Sequence, residues 1–192
     1  MDLLTRLKTE TRARHQQTET ALFADQLRAG TLLPAEYAQL LLIHYRFYQA
    51  LETAVAGQPQ FFIGYDHQDR RKTPWLMTDL NQTGTALPTP TPDLFKDWTG
   101  YQLLGALYVA EGATLGGRVI AAALRRTPVL SHLIPHFFGG YGEQTGPRWK
   151  AFGLYLTGRA DGHDARIVEA ADRAFGCFEQ LARQPILPVL LS

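Results

Sequence analysis

The chain has 192 residues and carries 19 Lys and Arg against 18 Asp and Glu, a formal net charge of +1, with a single cysteine, Cys177. So small a net charge supplies no field to recruit nucleic acid or an anionic membrane, and one cysteine excludes an internal disulfide and any multi-cysteine metal centre. The length suits one domain with an ample core, expected over residues 1–192 with 184–192 as a loosely packed tail.

The N-terminal segment MDLLTRLKTETRARH is charged and amphipathic, unlike the apolar run of a signal peptide. Leu4, Leu7, Thr11, His15, Thr18 and Leu22 follow three-four spacing, which predicts a helix from about Asp2 to Phe23 with a buried stripe. His15 on that stripe points inward or toward a cleft. Lys8 and Arg12 precede it on nearby faces, and Glu19 follows one turn later, within reach of the imidazole. A second helix is expected from Pro34 to about Ala56, apolar on nearly every face and therefore central. His44 within it reads as a core histidine. Gly57 to Gly64 breaks the pattern, a short helix around Arg70 to Leu80 follows, and NQTGTALPTPTPD, Asn81 to Asp93, reads as an irregular connector.

The stretch Thr99 to Leu124, TGYQLLGALYVAEGATLGGRVIAAAL, reads as one long apolar helix with Gly105, Gly112, Gly116 and Gly117 in its interior. Each glycine there costs roughly 1 kcal/mol relative to alanine, so four of them need a reason. Residues four apart share a helix face. Gly112 and Gly116 therefore stack, with Gly105 near the same side, and leave a strip where a flat group can lie against backbone. Close packing of two helices would use the same residues. Beyond Pro128, the segment 131–138 allows a short helical turn. FFGGYGEQTG, Phe137 to Gly146, reads as a mobile glycine-rich loop, Pro147 to Gly158 as a helix, and Asp161 to Asp164 as a helix cap. The last helix, roughly Ala165 to Arg183, buries Ile167, Val168, Ala171, Phe175, Phe178 and Leu181. The tail PILPVLLS is not expected to be helical.

No alternating run of strand length occurs, so the fold class is all-α, a compact multi-helix bundle of about six to eight helices. Signatures of other chemistries are missing. There is no phosphate-binding glycine loop, because GATLGG lies inside a helix. There is likewise no H-E-x-x-H pair and no G-x-S-x-G elbow. No run approaches the roughly 20 apolar residues of a membrane span. A cytoplasmic protein with no nucleic-acid or membrane partner is expected.

An inward histidine flanked by cations on one helix, and a glycine strip on another, suit a planar ligand. One side would take an axial imidazole, the other close backbone, and anionic substituents could meet Lys8 and Arg12. Here the sequence resembles the heme oxygenase family, in particular its short bacterial branch that accompanies bacteriophytochromes. LKTETRARHQQTE, Leu7 to Glu19, is similar to the family's proximal helix, and YVAEGATLGGRVI, Tyr108 to Ile120, to its distal helix. FFGGYG and PRWKAF resemble the bacterial branch.

The resemblance implies His15 as the proximal ligand to heme iron, Lys8 and Arg12 on the propionate side, and Glu19 as the carboxylate behind the imidazole. It puts Gly112, Gly116 and Gly117 on the family's distal glycines, with Gly112, Ala113 and Gly116 facing the reacting side. Arg148 and Lys150 are its candidates for a propionate contact from a late helix. It further implies oxidation of heme, as substrate and cofactor together, to biliverdin, carbon monoxide and ferrous iron. That reaction consumes O2 and electrons from a donor such as a ferredoxin or a flavoprotein reductase. The resemblance departs at Ala113, where many members carry an aspartate that orders a proton-delivering water. Glu111 and Thr114 are close in sequence but point elsewhere. Ala113 gives weight to an alternative, a heme-binding carrier or sensor that does not degrade its ligand. A third reading, a thiaminase-like enzyme on the same architecture, would need Cys177 as nucleophile.

Overall fold

The structure, a computed structural model, describes residues 1–88 and 93–184. The C-terminal tail and the middle of the proline-rich connector lie outside the described residues. The first helix bends at Thr11 into α1 (Leu3–Glu10) and α2 (Arg12–Ala21). The Thr11 hydroxyl donates to the Leu7 carbonyl at 2.7 Å, a side-chain bond that competes with the helix ladder and bends it. Asp2 caps α1 by accepting from the Thr5 amide at 3.1 Å. Phe23 then takes a left-handed conformation, φ 62°, and turns the chain into α3 (Ala24–Ala29). The sequence reading lacks α3 because its six residues bury only Leu27 and carry no periodic signal.

α4 (Pro34–Ala56) runs as expected and is buried nearly all round. α5 (Thr73–Gln82) begins three residues later than expected, after a short 3₁₀ turn at His67–Arg70. Glu52 of α4 sets that start by accepting from the amides of Lys72 at 2.6 Å and Thr73 at 3.0 Å. α6 (Gly100–Arg126) is continuous through all its glycines. Among the described residues it is the one helix long and apolar enough to cross a membrane, but half of its most apolar window is buried inside the protein. It serves as a core helix. α7 (His136–Gly139) is a single turn, and α8 (Thr145–Arg159) opens two residues before Pro147. The expected mobile loop is thus largely structured, with a 3₁₀ turn at Gly142–Gln144.

α9 (Asp164–Arg183) buries all six residues expected of it. Its cap is corrected. The turn before it is left-handed at Asp161 and Gly162, and His163 holds the cap position with no side-chain hydrogen bond. Asp164 sits in the first turn, where a carboxylate meets the positive helix end. α9 packs along α6 over the longest seam among the described residues, and α2 lies against α9. No strand forms among the described residues. The nine α-helical segments among the described residues correspond to the expected six to eight once α1 and α2 count as one bent helix and α7 as a turn.

Candidate functional site

A cavity of about 850 Å³ opens between α2, α3, α6 and α9, toward the large end of small-molecule sites. Its wall is mainly apolar. Leu27, Leu40, Phe137, Phe138 and Phe178 are buried around it, and Tyr108 and Trp149 close one side.

His15 lines the cavity with its side chain 51% exposed, so it faces the cleft, while Leu7, Thr11 and Thr18 of the same stripe are buried. Its ring meets Phe175 edge-on at 5.3 Å. Glu19 Oε1 lies 3.6 Å from Nε2, beyond hydrogen-bond length. The imidazole carries two nitrogens, so with Nε2 toward Glu19 the second is left free to take a ligand. Lys8 and Arg12 stand at the rim, both exposed, and neither pairs with a carboxylate among the described residues.

The glycines of α6 separate into two groups. At Gly116 a methyl group would meet nothing within 4 Å, and at Gly112 only the Trp149 ring at 3.7 Å. Both line the cavity, with Ala113 exposed beside them. Gly105 and Gly117 do not. A methyl group at Gly105 would lie 2.4 Å from the Ile167 carbonyl oxygen, and one at Gly117 would lie 2.6 Å from that of Phe138. The first lets α9 approach, the second seats α7. The face that is open at Gly112 is filled at Gly105, because α9 lies against the earlier turns of α6.

Arg148 and Lys150 of the late helix do not line the cavity. Trp149 between them points into the cavity, and residues one step either side are rotated about 100° away. The Arg148 guanidinium donates to the Asp69 carbonyl at 3.1 Å and lies 4.7 Å from the centre of the Tyr141 ring. Lys150 is exposed to solvent. Two cations absent from the sequence reading do line the cavity, Arg28 of α3, which pairs with Asp25 at 2.6 Å, and Arg126 at the end of α6. Neither could be found by spacing from His15, since they sit on elements that only the fold brings to the same opening.

His44 is a core residue that also floors the cavity. Its Nδ1–H donates to the Leu40 carbonyl at 2.8 Å, and Phe137, Phe138 and Phe178 surround it at ring distances of 5.0–5.6 Å. Burial pulls its pKa down to about 4, with the Leu40 bond opposing, so it is neutral at physiological pH. Cys177 lies outside the cavity, half-buried, and burial pushes its thiol pKa up. An activated nucleophile needs the opposite shift, so the thiaminase-like reading has no support at this site.

An apolar slot with one imidazole on a wall, bare helix backbone on another and cations at the rim defines a helical pocket protein for a flat ligand with anionic edges. Comparison with known proteins fits that class. The family model for heme oxygenase matches residues 1–85. A heme oxygenase of Xanthomonas campestris pv. campestris (strain 8004) is 35% identical over 143 residues, which is 72% of this chain and 78% of the relative. The fold superimposes on heme oxygenase from Leptospira interrogans with a TM-score of 0.81 at 18% identity, covering 95% of this chain and 98% of that one. For the NO- and CO-bound heme oxygenase of Neisseria meningitidis the TM-score is 0.75 at 18% identity, covering 95% and 91%. For heme oxygenase 2 of Chlamydomonas reinhardtii without heme it is 0.76 at 19%, covering 98% and 100%. The chain belongs to the heme oxygenase family and is accordingly an enzyme with heme as its substrate.

Proposed function

We propose that the cavity holds heme between α2 and α6, with His15 as the proximal ligand to its iron and the Gly112–Gly116 backbone against the opposite face. The observation that carries this is the placement of His15 and the open glycines Gly112 and Gly116 on one cavity. The remaining parts agree with it. The apolar wall suits a porphyrin, and the exposed Lys8 and Arg12 suit its propionates as charge-assisted partners. Glu19 can hold the second imidazole nitrogen and fix the ring's orientation.

Bound heme supplies the iron at which dioxygen and electrons from an external donor, such as a ferredoxin or flavoprotein reductase, are used to open the ring to biliverdin, carbon monoxide and ferrous iron. The protein's part is to bind and orient. A neutral histidine binds the iron without the electron push of a thiolate. The bare backbone at Gly112 and Gly116 leaves room beside the ring edge. The glycine-bearing helix can yield to admit substrate and release product. The single half-buried Cys177 and the core packing of α6 are in keeping with a soluble protein of one domain in the reducing cytoplasm.

Ala113, exposed on the cavity wall, favours a second reading, a heme-binding carrier or sensor, because a methyl group cannot order a proton-delivering water. A hemin titration followed by ascorbate under air, with catalase present, separates the two. A sharp Soret band that decays into a broad red bilin absorption is the expected result. A Soret band that persists establishes the non-degrading binder. His15→Ala should abolish the sharp Soret band. It should also leave thermal stability within about 2 °C, the range for a half-exposed side chain without hydrogen-bonded partners.

A further inference from the structure

Glu111 precedes Gly112 and points to the other side of α6, away from the cavity, with 1% of its surface exposed. A carboxylate so deep in an apolar helix is costly unless it is paired and fully hydrogen-bonded. Here it is both. Arg70 donates to Oε2 at 2.8 Å and Lys72 to Oε1 at 2.5 Å. The phenols of Tyr65 and Tyr141 each donate at 3.2 Å. Lys72 completes its own set with the Arg70 carbonyl at 2.7 Å and the Tyr141 hydroxyl at 2.6 Å.

These partners come from separate parts of the fold. Tyr65, Arg70 and Lys72 belong to the segment between α4 and α5, which Glu52 of α4 holds through the amides of Lys72 and Thr73. Tyr141 belongs to the turn between α7 and α8. Its ring also carries the Arg148 guanidinium and meets Trp75 of α5. The cluster therefore ties α6 to α4 and to the 140–144 turn at the residue before Gly112. On the cavity side nothing comparable restrains Gly112 or Gly116. Elsewhere α6 is clamped by backbone contact, against α9 at Gly105 and against Phe138 at Gly117. Between those clamps the glycine backbone is soft. Two polar contacts hold that stretch, the Tyr48 hydroxyl donating to the Ala110 carbonyl at 2.7 Å and the Glu111 cluster, which is the one adjoining Gly112.

We propose that Glu111, held by Lys72 and Tyr141, is a positioning residue for heme turnover. It fixes the height of the Gly112–Gly116 backbone over the substrate from the far side of the helix. It touches neither substrate nor cavity and acts through the main chain of Gly112 and Ala113. The inference rests on the reading that heme lies against Gly112 and Gly116.

Two variants test it. Tyr141→Phe deletes the hydroxyl between Glu111 and Lys72 and keeps the ring under Arg148. Glu111→Asp keeps the charge and withdraws it by one methylene. In the heme-free chain, amide hydrogen exchange over residues 112–116 should rise about tenfold in either variant, as expected when one buried hydrogen bond is lost locally, with α9 unchanged. The hemin-loaded chain is expected to change its visible spectrum with pH, and in either variant the midpoint of that change should move by about half a unit or more. Hemin affinity should stay within about threefold of the parent. A purely stabilising role would speed exchange in all helices together and leave that midpoint in place. Either that pattern or no change in either readout overturns the proposal. If the unsubstituted chain itself forms no Soret band, the heme reading fails first and takes the positioning role with it. The separate parent control makes that failure recognisable.

Discussion

At Gly116 an added methyl group meets open space, while one residue later it would lie 2.6 Å from the carbonyl oxygen of Phe138. The two neighbours should therefore respond oppositely to alanine. Gly116→Ala should raise stability by up to about 1 kcal/mol, the helix-propensity difference, while weakening hemin binding because the methyl group occupies the slot. Gly117→Ala should lower stability by about 1–3 kcal/mol, because backbone must move to make room. Urea unfolding of the heme-free chains, alongside hemin titration of each, checks both. Loss of stability in Gly116→Ala would show that α6 packs more tightly over the cavity than the structure has it. Glu111 is the other residue-scale lesson. A lone carboxylate in an apolar helix is a signal in sequence, since such groups stay buried only when paired. Its partners Arg70, Lys72 and Tyr141 follow no spacing rule that relates them to it.

Among the elements, α7 depends on a neighbour for its place. Four residues are too few to hold a helix alone. Buried Asp79 of α5 supplies the missing contacts, accepting from the amides of His136 and Phe137 at 2.9 Å each and from His136 Nδ1 at 2.9 Å. α7 in turn delivers Phe137 and Phe138 to the cavity wall and to His44. Asp79→Ala should leave both amides unpaired and cost on the order of 1–3 kcal/mol. Hemin affinity should fall with it, since the wall loses its support. Exchange protection confined to 136–139 and a hemin titration would report the two effects. Unchanged affinity would mean that the two phenylalanines hold their positions without the cap.

For the whole molecule, acid stability is bound to the same core. His44 titrates near 6.5 in an unfolded chain and at about 4 in the fold, chiefly because burial disfavours the imidazolium. The unfolded state therefore binds the proton first as pH falls. The contribution of this group is fully present above 6.5 and is lost progressively between 6.5 and about 4. At about 1.4 kcal/mol per pKa unit the loss is on the order of 3 kcal/mol. In urea titrations at pH 7 and pH 4.5, His44→Phe should show a much smaller drop than the parent chain. Equal drops would place the acid sensitivity elsewhere.

The local pattern was enough to define several elements and half of the candidate site. Apolar spacing marks α4, α6 and α9 with their buried faces, and it puts His15, Lys8, Arg12 and Glu19 on related turns of one helix. The run of glycines identifies α6 as unusual. All of these follow from angles about a single helix axis, which sequence spacing determines directly. Which neighbour occupies each angle is a property of packing. Tertiary structure alone decided that α9 fills the glycine face at Gly105 and leaves it open at Gly112 and Gly116. It turned Trp149 rather than Arg148 or Lys150 into the cavity, brought Arg28 and Arg126 to the same rim, and gathered four partners around Glu111. Contacts between residues far apart in the chain depend on how helices cross, and crossing is set by the shapes of both surfaces together.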